Sequence, residues 1–203
     1  MLKPKIKIAV FVSGGGTNLQ ALIDSYENGG ILDGEISLVL SNNPSAYALE
    51  RAKKHGIPSV CVDKSEYKTI EEREKKTIEI LKENDIELIV LAGYLSILSK
   101  DFTKLYENRI INVHPSLIPS FCGKGFYGLK VHEEALKYGV KVTGATVHFV
   151  NEIPDGGEII MQKAVCVEEG DTPETLQKRV MREAEWIILP ASVQKIANIL
   201  RNE

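Results

Sequence analysis

Five short apolar runs, residues 6–12, 36–40, 59–62, 87–92 and 109–114, alternate along the first part of the chain with stretches of helical spacing. Runs of this length, rich in Val, Ile and Leu, read as strands buried on both faces. Strands that alternate with helices build a parallel, doubly wound sheet, because parallel neighbours need a crossover between them. Helices are predicted over 46–55, closed by Gly56, over 70–84 and over 102–106. The helix over 70–84 turns Ile78 and Leu81 inward, and its Glu/Arg/Lys run reads as a solvated face.

The pattern changes after residue 116. Residues 117–129 are rich in glycine and aromatics and form a long loop, a kind of segment that often covers a ligand site. A helix over 130–138 stops at Gly139. Two β-rich runs, 141–150 and 158–167, flank the turn Asn151-Glu152-Ile153-Pro154-Asp155-Gly156-Gly157, which predicts an antiparallel pair. Asp171 or Thr172 caps a last long helix, with a break or kink expected at Pro190. There is no internal repeat and no linker, so residues 1–203 read as one domain.

Two stretches carry chemistry. The first strand runs into Ser13-Gly14-Gly15-Gly16-Thr17-Asn18, and Leu19, Leu22 and Ile23 then follow at helical spacing. Strand, glycine turn and helix start form an anion site, since glycine lets the backbone come close and free N–H groups face the ligand. The plainer reading is a tight turn capped by Thr17 or Asn18. It is neither a dinucleotide fingerprint, because Leu19 replaces the third glycine, nor a P-loop, because no Lys-Ser/Thr follows. The second stretch is Asn112-Val113-His114-Pro115-Ser116. Alternation puts Asn112 and His114 on one side of a strand that Pro115 ends, at the carboxyl end of the sheet where α/β proteins bind ligands. An amide donates to a developing oxyanion, and an imidazole moves a proton beside it. The plainer reading is a polar strand end facing water.

The other histidines read as bland: His55 as a helix C-terminal partner, His132 on a surface helix, His148 as a satisfied core residue. No histidine spacing suggests a metal site. Cys61, Cys122 and Cys166 are too scattered for disulfides or zinc and fit a reduced cytoplasm; Cys61 and Cys166 are expected buried and Cys122 exposed. A net charge of −3 with no dense basic block argues against nucleic acid. The apolar runs are too short to span a bilayer, and the first reads as a strand and not a signal peptide.

Ser-Gly-Gly-Gly-Thr-Asn, Asn-Val-His-Pro-Ser and Val-His-Phe-Val-Asn-Glu-Ile-Pro-Asp-Gly-Gly together resemble the folate-dependent formyltransferases, and among them the phosphoribosylglycinamide formyltransferases. The resemblance runs from about Ile6 to Pro190. It implies a Rossmann-like α/β fold with an added antiparallel C-terminal pair of strands. It implies formyl transfer from 10-formyltetrahydrofolate to the amine of glycinamide ribonucleotide in purine synthesis, in the cytoplasm, with no metal. A homodimer is compatible with it. The family's catalytic Asn, His and Asp fall on Asn112, His114 and Asp155, where the residues alone read Asp155 as an ordinary turn acid. In this reading Asn112 donates to the oxyanion, and Asp155 favours a protonated His114. The substrate-phosphate loop falls on Gly15, Gly16, Thr17 and Asn18. The folate pocket falls on Leu95, Ser96, Ile97 and Leu98, on Asn112, and on Asn151, Glu152, Ile153, Pro154 and Asp155. The ribose-binding Glu falls on Glu185 if one extra residue precedes it, with Glu183 as the rival.

Three departures stand out. Leu95-Ser96-Ile97-Leu98 replaces the family's frequent Met-Arg-Ile-Leu, an Arg before the third helix has no match near Ile70, and the loop over 121–130 is longer than usual. The first two bear on how a folate glutamate tail is held. Competing readings are a formyltetrahydrofolate hydrolase or a methionyl-tRNA formyltransferase, each expected to carry an additional domain, and a non-catalytic phosphometabolite-binding module, which has no need of Asn112, His114 and Asp155 together.

Overall fold

The apolar runs become strands because both of their faces find a partner layer. In β1 (Ile6–Val12), Ile8, Val10 and Val12 enter one core, and Ala9 and Phe11 enter the other. The computed structural model describes residues 3–203. The remaining strands are β2 (Gly34–Ser41), β3 (Ser59–Cys61), β4 (Leu88–Leu91), β5 (Ile110–His114), β6 (Val142–Phe149) and β7 (Ile159–Cys166). They form one sheet in the order β3-β2-β1-β4-β5-β6-β7. The pairs from β3 to β5 are parallel, and β5-β6 and β6-β7 are antiparallel, as the sequence predicts.

One face of the sheet is covered by α1 (Thr17–Glu27) through Leu19, Leu22 and Ile23, and by the C-terminal helices through Leu176, Val180, Leu189 and Val193. The other is covered by α3 (Ile70–Glu83) through Ile80 and Leu81 and by α4 (Lys100–Leu105) through Phe102. The chain leaves β1 for β2 on one side and returns to β4 on the other. The carboxyl ends of β1 and β4 therefore flank a crevice, the place where an open α/β sheet takes its ligand. The loops there are joined by a hydrogen bond from the Ser13 N–H to the Gly93 carbonyl at 3.1 Å.

Several expectations are corrected. Arg73 and Glu74 on α3 are buried, not solvated. Glu74 has a partner from far along the chain: its carboxylate accepts the Ser99 N–H at 2.7 Å and the Ser99 hydroxyl, locking the start of α4. Cys166 is exposed on the edge strand β7, and Cys61 and Cys122 are half-buried. Pro190 lies inside α7 (Trp186–Asn202) without ending it. The interruption comes earlier, as a π turn at Met181–Glu185 after α6 (Pro173–Val180). A proline has no N–H for the carbonyl four residues back and crowds it. That residue is Trp186, whose ψ of −8° departs from the helical value. A π turn absorbs one extra residue without breaking a helix. Among the described residues no helix is long and apolar enough to cross a membrane.

Candidate active site

Asn112 and His114 end β5, and β6 lies antiparallel beside them with His148 directly opposite Asn112 and Thr146 opposite His114. The Asn112 Nδ2 lies 3.2 Å from the His148 Nε2. The His148 Nδ1 donates to the Phe149 carbonyl at 2.8 Å, which leaves its Nε2 free to accept from Asn112. One N–H of the Asn112 amide remains for the cavity. The Thr146 hydroxyl donates to the Ser116 carbonyl at 2.7 Å and accepts from the Ile118 N–H at 3.1 Å, so the chain is pinned as it leaves β5.

The turn between β6 and β7 brings a carboxylate to this pair of strands. Asp155 has φ 55°, a left-handed conformation that Asp tolerates better than most residues. At Gly157 a Cβ would lie 1.7 Å from the Phe149 carbonyl oxygen, so only glycine lets the turn fold back onto β6. The Asp155 carboxylate then sits 3.5 Å from the His114 Nδ1 and 3.5 Å from the His148 Nε2 and accepts the Gly123 N–H at 2.8 Å. Burial pushes its pKa up, but the neighbouring His148 and His114 side chains and the Gly123 N–H outweigh this and hold it below the usual value.

His114 is almost fully buried, and its Nε2 donates to the Phe121 carbonyl at 2.8 Å. Its Nδ1 thus carries the lone pair in the neutral ring and faces Asp155. The expectation of a protonated histidine is corrected here: desolvation outweighs Asp155 and Phe121, and the pKa is lowered. The resting imidazole is neutral near pH 7, with a carboxylate placed to stabilise the imidazolium once a proton arrives.

These groups border a cavity of about 730 Å³. Its lining includes every expected folate-pocket residue: Leu95, Ser96, Ile97, Leu98, Asn112, Asn151, Glu152, Ile153, Pro154 and Asp155. Leu95, Ile97 and Ile153 are each at least 60% exposed, an unusual display of apolar surface around an open pocket. Lys100 and Glu152 pair across the rim at 2.7 Å. The Ser96 hydroxyl accepts from the Asn42 amide at 2.7 Å.

Asn18 and Glu185 line the same cavity. The Asn18 Nδ2 donates to the Glu185 carboxylate at 2.6 Å, while the buried Asn18 Oδ1 has no partner among the described residues. Burial pushes the Glu185 pKa up to about 7. Glu183 instead pairs with Arg182 at 2.9 Å on the outside, half exposed. Glu185 closes the π turn and is buried. Gly15, Gly16 and Thr17 do not line the cavity; they lie beside it at the start of α1. Gly16 caps α1 at φ 70°, with no side-chain cap, and a Cβ there would meet Ala48 at 2.7 Å. Its glycine is required by packing, whereas Gly14 and Gly15 border open space.

His148 is buried and hydrogen-bonded, as expected, and also lines the cavity. His132, on α5 (Leu129–Tyr138), is not on the surface: it is fully buried, borders the cavity, and neither ring nitrogen has a partner among the described residues. Burial, and then His114, push its pKa down from 6.5 to about 4. The unfolded chain therefore binds a proton between those values that the folded one does not. Stability falls as pH drops from 6.5 towards 4, by about 3 kcal/mol from this group. His132→Phe removes this dependence, so urea midpoints at pH 7 and pH 4.5 should differ less in the variant than in the wild type. An equal difference in both would show that His132 does not carry it.

Fold and site define a ligand-binding α/β protein whose crevice at the carboxyl ends of the strands presents an amide, two imidazoles and a carboxylate. The chain belongs to the formyl transferase family, whose model matches residues 6–193. It is 45% identical over 194 residues to a trifunctional purine biosynthetic protein adenosine-3 from Gallus gallus, covering 96% of this chain but 19% of that protein. It is 39% identical to a phosphoribosylglycinamide formyltransferase from Haemophilus influenzae, covering 93% of this chain and 85% of the relative. The crystal structure of glycinamide ribonucleotide transformylase 1 from Symbiobacterium toebii is similar with a TM-score of 0.89 at 40% identity, covering 96% of this chain and 88% of that one.

Proposed function

We propose that residues 1–203 form one formyltransferase domain that moves the formyl group of 10-formyltetrahydrofolate to the amine of glycinamide ribonucleotide. The observation that carries this reading is a cavity whose lining brings Asn112, His114 and Asp155 together with the exposed apolar Leu95, Ile97 and Ile153 and with the buried Asn18 and Glu185. The apolar rim of Leu95, Ile97 and Ile153 suits a flat ring system. The partnerless Asn18 Oδ1 and the Glu185 carboxylate suit the hydroxyl groups of a ribose. The first N–H groups of α1 suit a phosphate.

The donor supplies a formyl carbon that the substrate amine attacks. The free N–H of Asn112 faces the oxygen on which negative charge develops. His114 takes the proton released by the attacking nitrogen at its Nδ1, and Asp155 stabilises the imidazolium. The same proton then passes to the leaving nitrogen as the C–N bond breaks, which returns His114 to its neutral state. The remaining task is alignment, for which the phosphate and ribose contacts hold the amine against the formyl carbon.

The test is a formyl transfer assay with glycinamide ribonucleotide and 10-formyltetrahydrofolate. The expected result is formylated product formed in step with loss of the donor, and no donor loss when the amine is left out. Donor hydrolysis independent of the amine would overturn the reading in favour of a hydrolase.

A further inference from the structure

We infer that Arg51, on α2 (Tyr47–Lys54), is a positioning residue that holds the glycine turn in its phosphate-receiving orientation. The inference rests on the proposed function for the identity of the substrate and on the turn's own geometry for the mechanism. Three successive carbonyls of the turn are held from one side. The Ser13 carbonyl accepts from the Asn43 Nδ2 at 3.1 Å, the Gly14 carbonyl from the Ala48 N–H at 3.1 Å, and the Gly15 carbonyl from the Arg51 Nε at 2.8 Å. In a trans peptide the C=O and the following N–H point in opposite directions. The N–H groups of Gly14, Gly15 and Gly16 therefore point away from the donors on Asn43, Ala48 and Arg51, and a Cβ on Gly14 or Gly15 would meet nothing within 4 Å. Successive N–H groups aimed one way make an anion-binding concavity, and the first N–H groups of α1 continue it.

A second observation points to a neighbouring part of the same ligand, a hydroxyl donor and not the anion itself. Asn18, nine-tenths buried in the first turn, keeps its Oδ1 unpartnered beside the cavity. Arg51 is the one cation in the clamp. Its Nη1 also donates to the Gln20 Oε1 on α1 at 2.9 Å, and its guanidinium lies 5.1 Å from the centre of the Tyr47 ring. It thus fixes the turn against both helices. By donating to the Gly15 carbonyl it also polarises that peptide, which makes the Gly16 N–H a stronger donor to an anion. Arg51 acts through the turn and leaves the reacting atoms alone, so its loss should weaken phosphate binding and spare the chemical step.

The test compares the wild type, Arg51→Met and Arg51→Lys. Inorganic phosphate is titrated while the Gly15 and Gly16 amide resonances are followed by NMR. KM and kcat are measured with glycinamide ribonucleotide and with the same amide lacking its phosphate. In the wild type, phosphate should shift both amides. In Arg51→Met, phosphate affinity should fall and KM for the phosphorylated substrate should rise roughly tenfold, the lower end for a lost charged hydrogen bond. The KM for the substrate lacking phosphate, and kcat with either, should stay within about twofold. Arg51→Lys, with its charge but without the fork, should fall between and serves if the methionine variant does not fold. Unchanged phosphate affinity in a folded variant, equal loss for both substrates, or silent glycine amides in the wild type would overturn the inference. A wild type that binds phosphate through these amides, loses it with Arg51, and transfers no formyl group would leave the inference standing and sink the proposed function.

Discussion

Replacing Asp155 by asparagine should lower the turnover of formyl transfer by roughly 10²–10⁴-fold, the range for disabled acid–base assistance. The substitution keeps an oxygen for the Gly123 N–H and the shape of the turn, but removes the charge that lies 3.5 Å from both His114 and His148. Burial already holds the His114 pKa below its ordinary value, and Asp155 is the main group pulling it back up. Without the carboxylate that pKa falls further. Neutral His114 is the working form, so activity is lost as pH drops through its pKa. The acidic limb of the pH–rate profile should therefore move to lower pH in the variant while the plateau falls. NMR titration of His114 and the profiles of both proteins provide the measurement. A variant with wild-type turnover, or with an unmoved His114 titration, would reduce Asp155 to a turn residue.

Asn112→Ala should lower kcat by roughly 10²–10³-fold, as removal of a side-chain oxyanion donor does. The amide is held by the His148 Nε2 at 3.2 Å, so its remaining N–H is pre-aimed and needs no reorganisation as charge develops. KM for either substrate should change little, because the interaction strengthens only as the transition state forms. Rapid-quench measurement of a single turnover separates this loss from a slower product release. A thermal midpoint close to the wild type would show that the bare His148 nitrogen has not unsettled β6. A variant that keeps near-normal single-turnover rates would eliminate the oxyanion role.

Local rules carried much of this protein. Strand-sized apolar runs alternating with helical spacing determined the layered α/β sheet, because period and length are properties of neighbouring residues. The period of two along β5 placed Asn112 beside His114. The turn residues between 150 and 158 determined that β6 and β7 run antiparallel. The glycine turn and the start of α1 were legible for the same reason, although its glycines divide into one needed for packing and two that border open space.

What the sequence alone left undecided depends on residues that meet only after folding. His148 joins the site because β6 pairs with β5 in the register that sets it opposite Asn112, a pairing between residues 36 apart. His132 reads as a surface residue from its polar neighbours, yet the layer packed against α5 decides which face is buried. Glu74 sits in a charged run that looks solvated until Ser99 arrives as its partner. That Glu185, on the π turn ahead of Pro190, is buried while Glu183 is exposed is decided by the layer the turn packs against. The neutral resting state of His114 is a matter of burial, which no spacing reveals: Asp155 raises the pKa, but the loss of water around the ring outweighs it. Backbone period is written residue by residue along the chain; register, burial and charge pairing are contacts between distant segments, and only the tertiary structure brings those together.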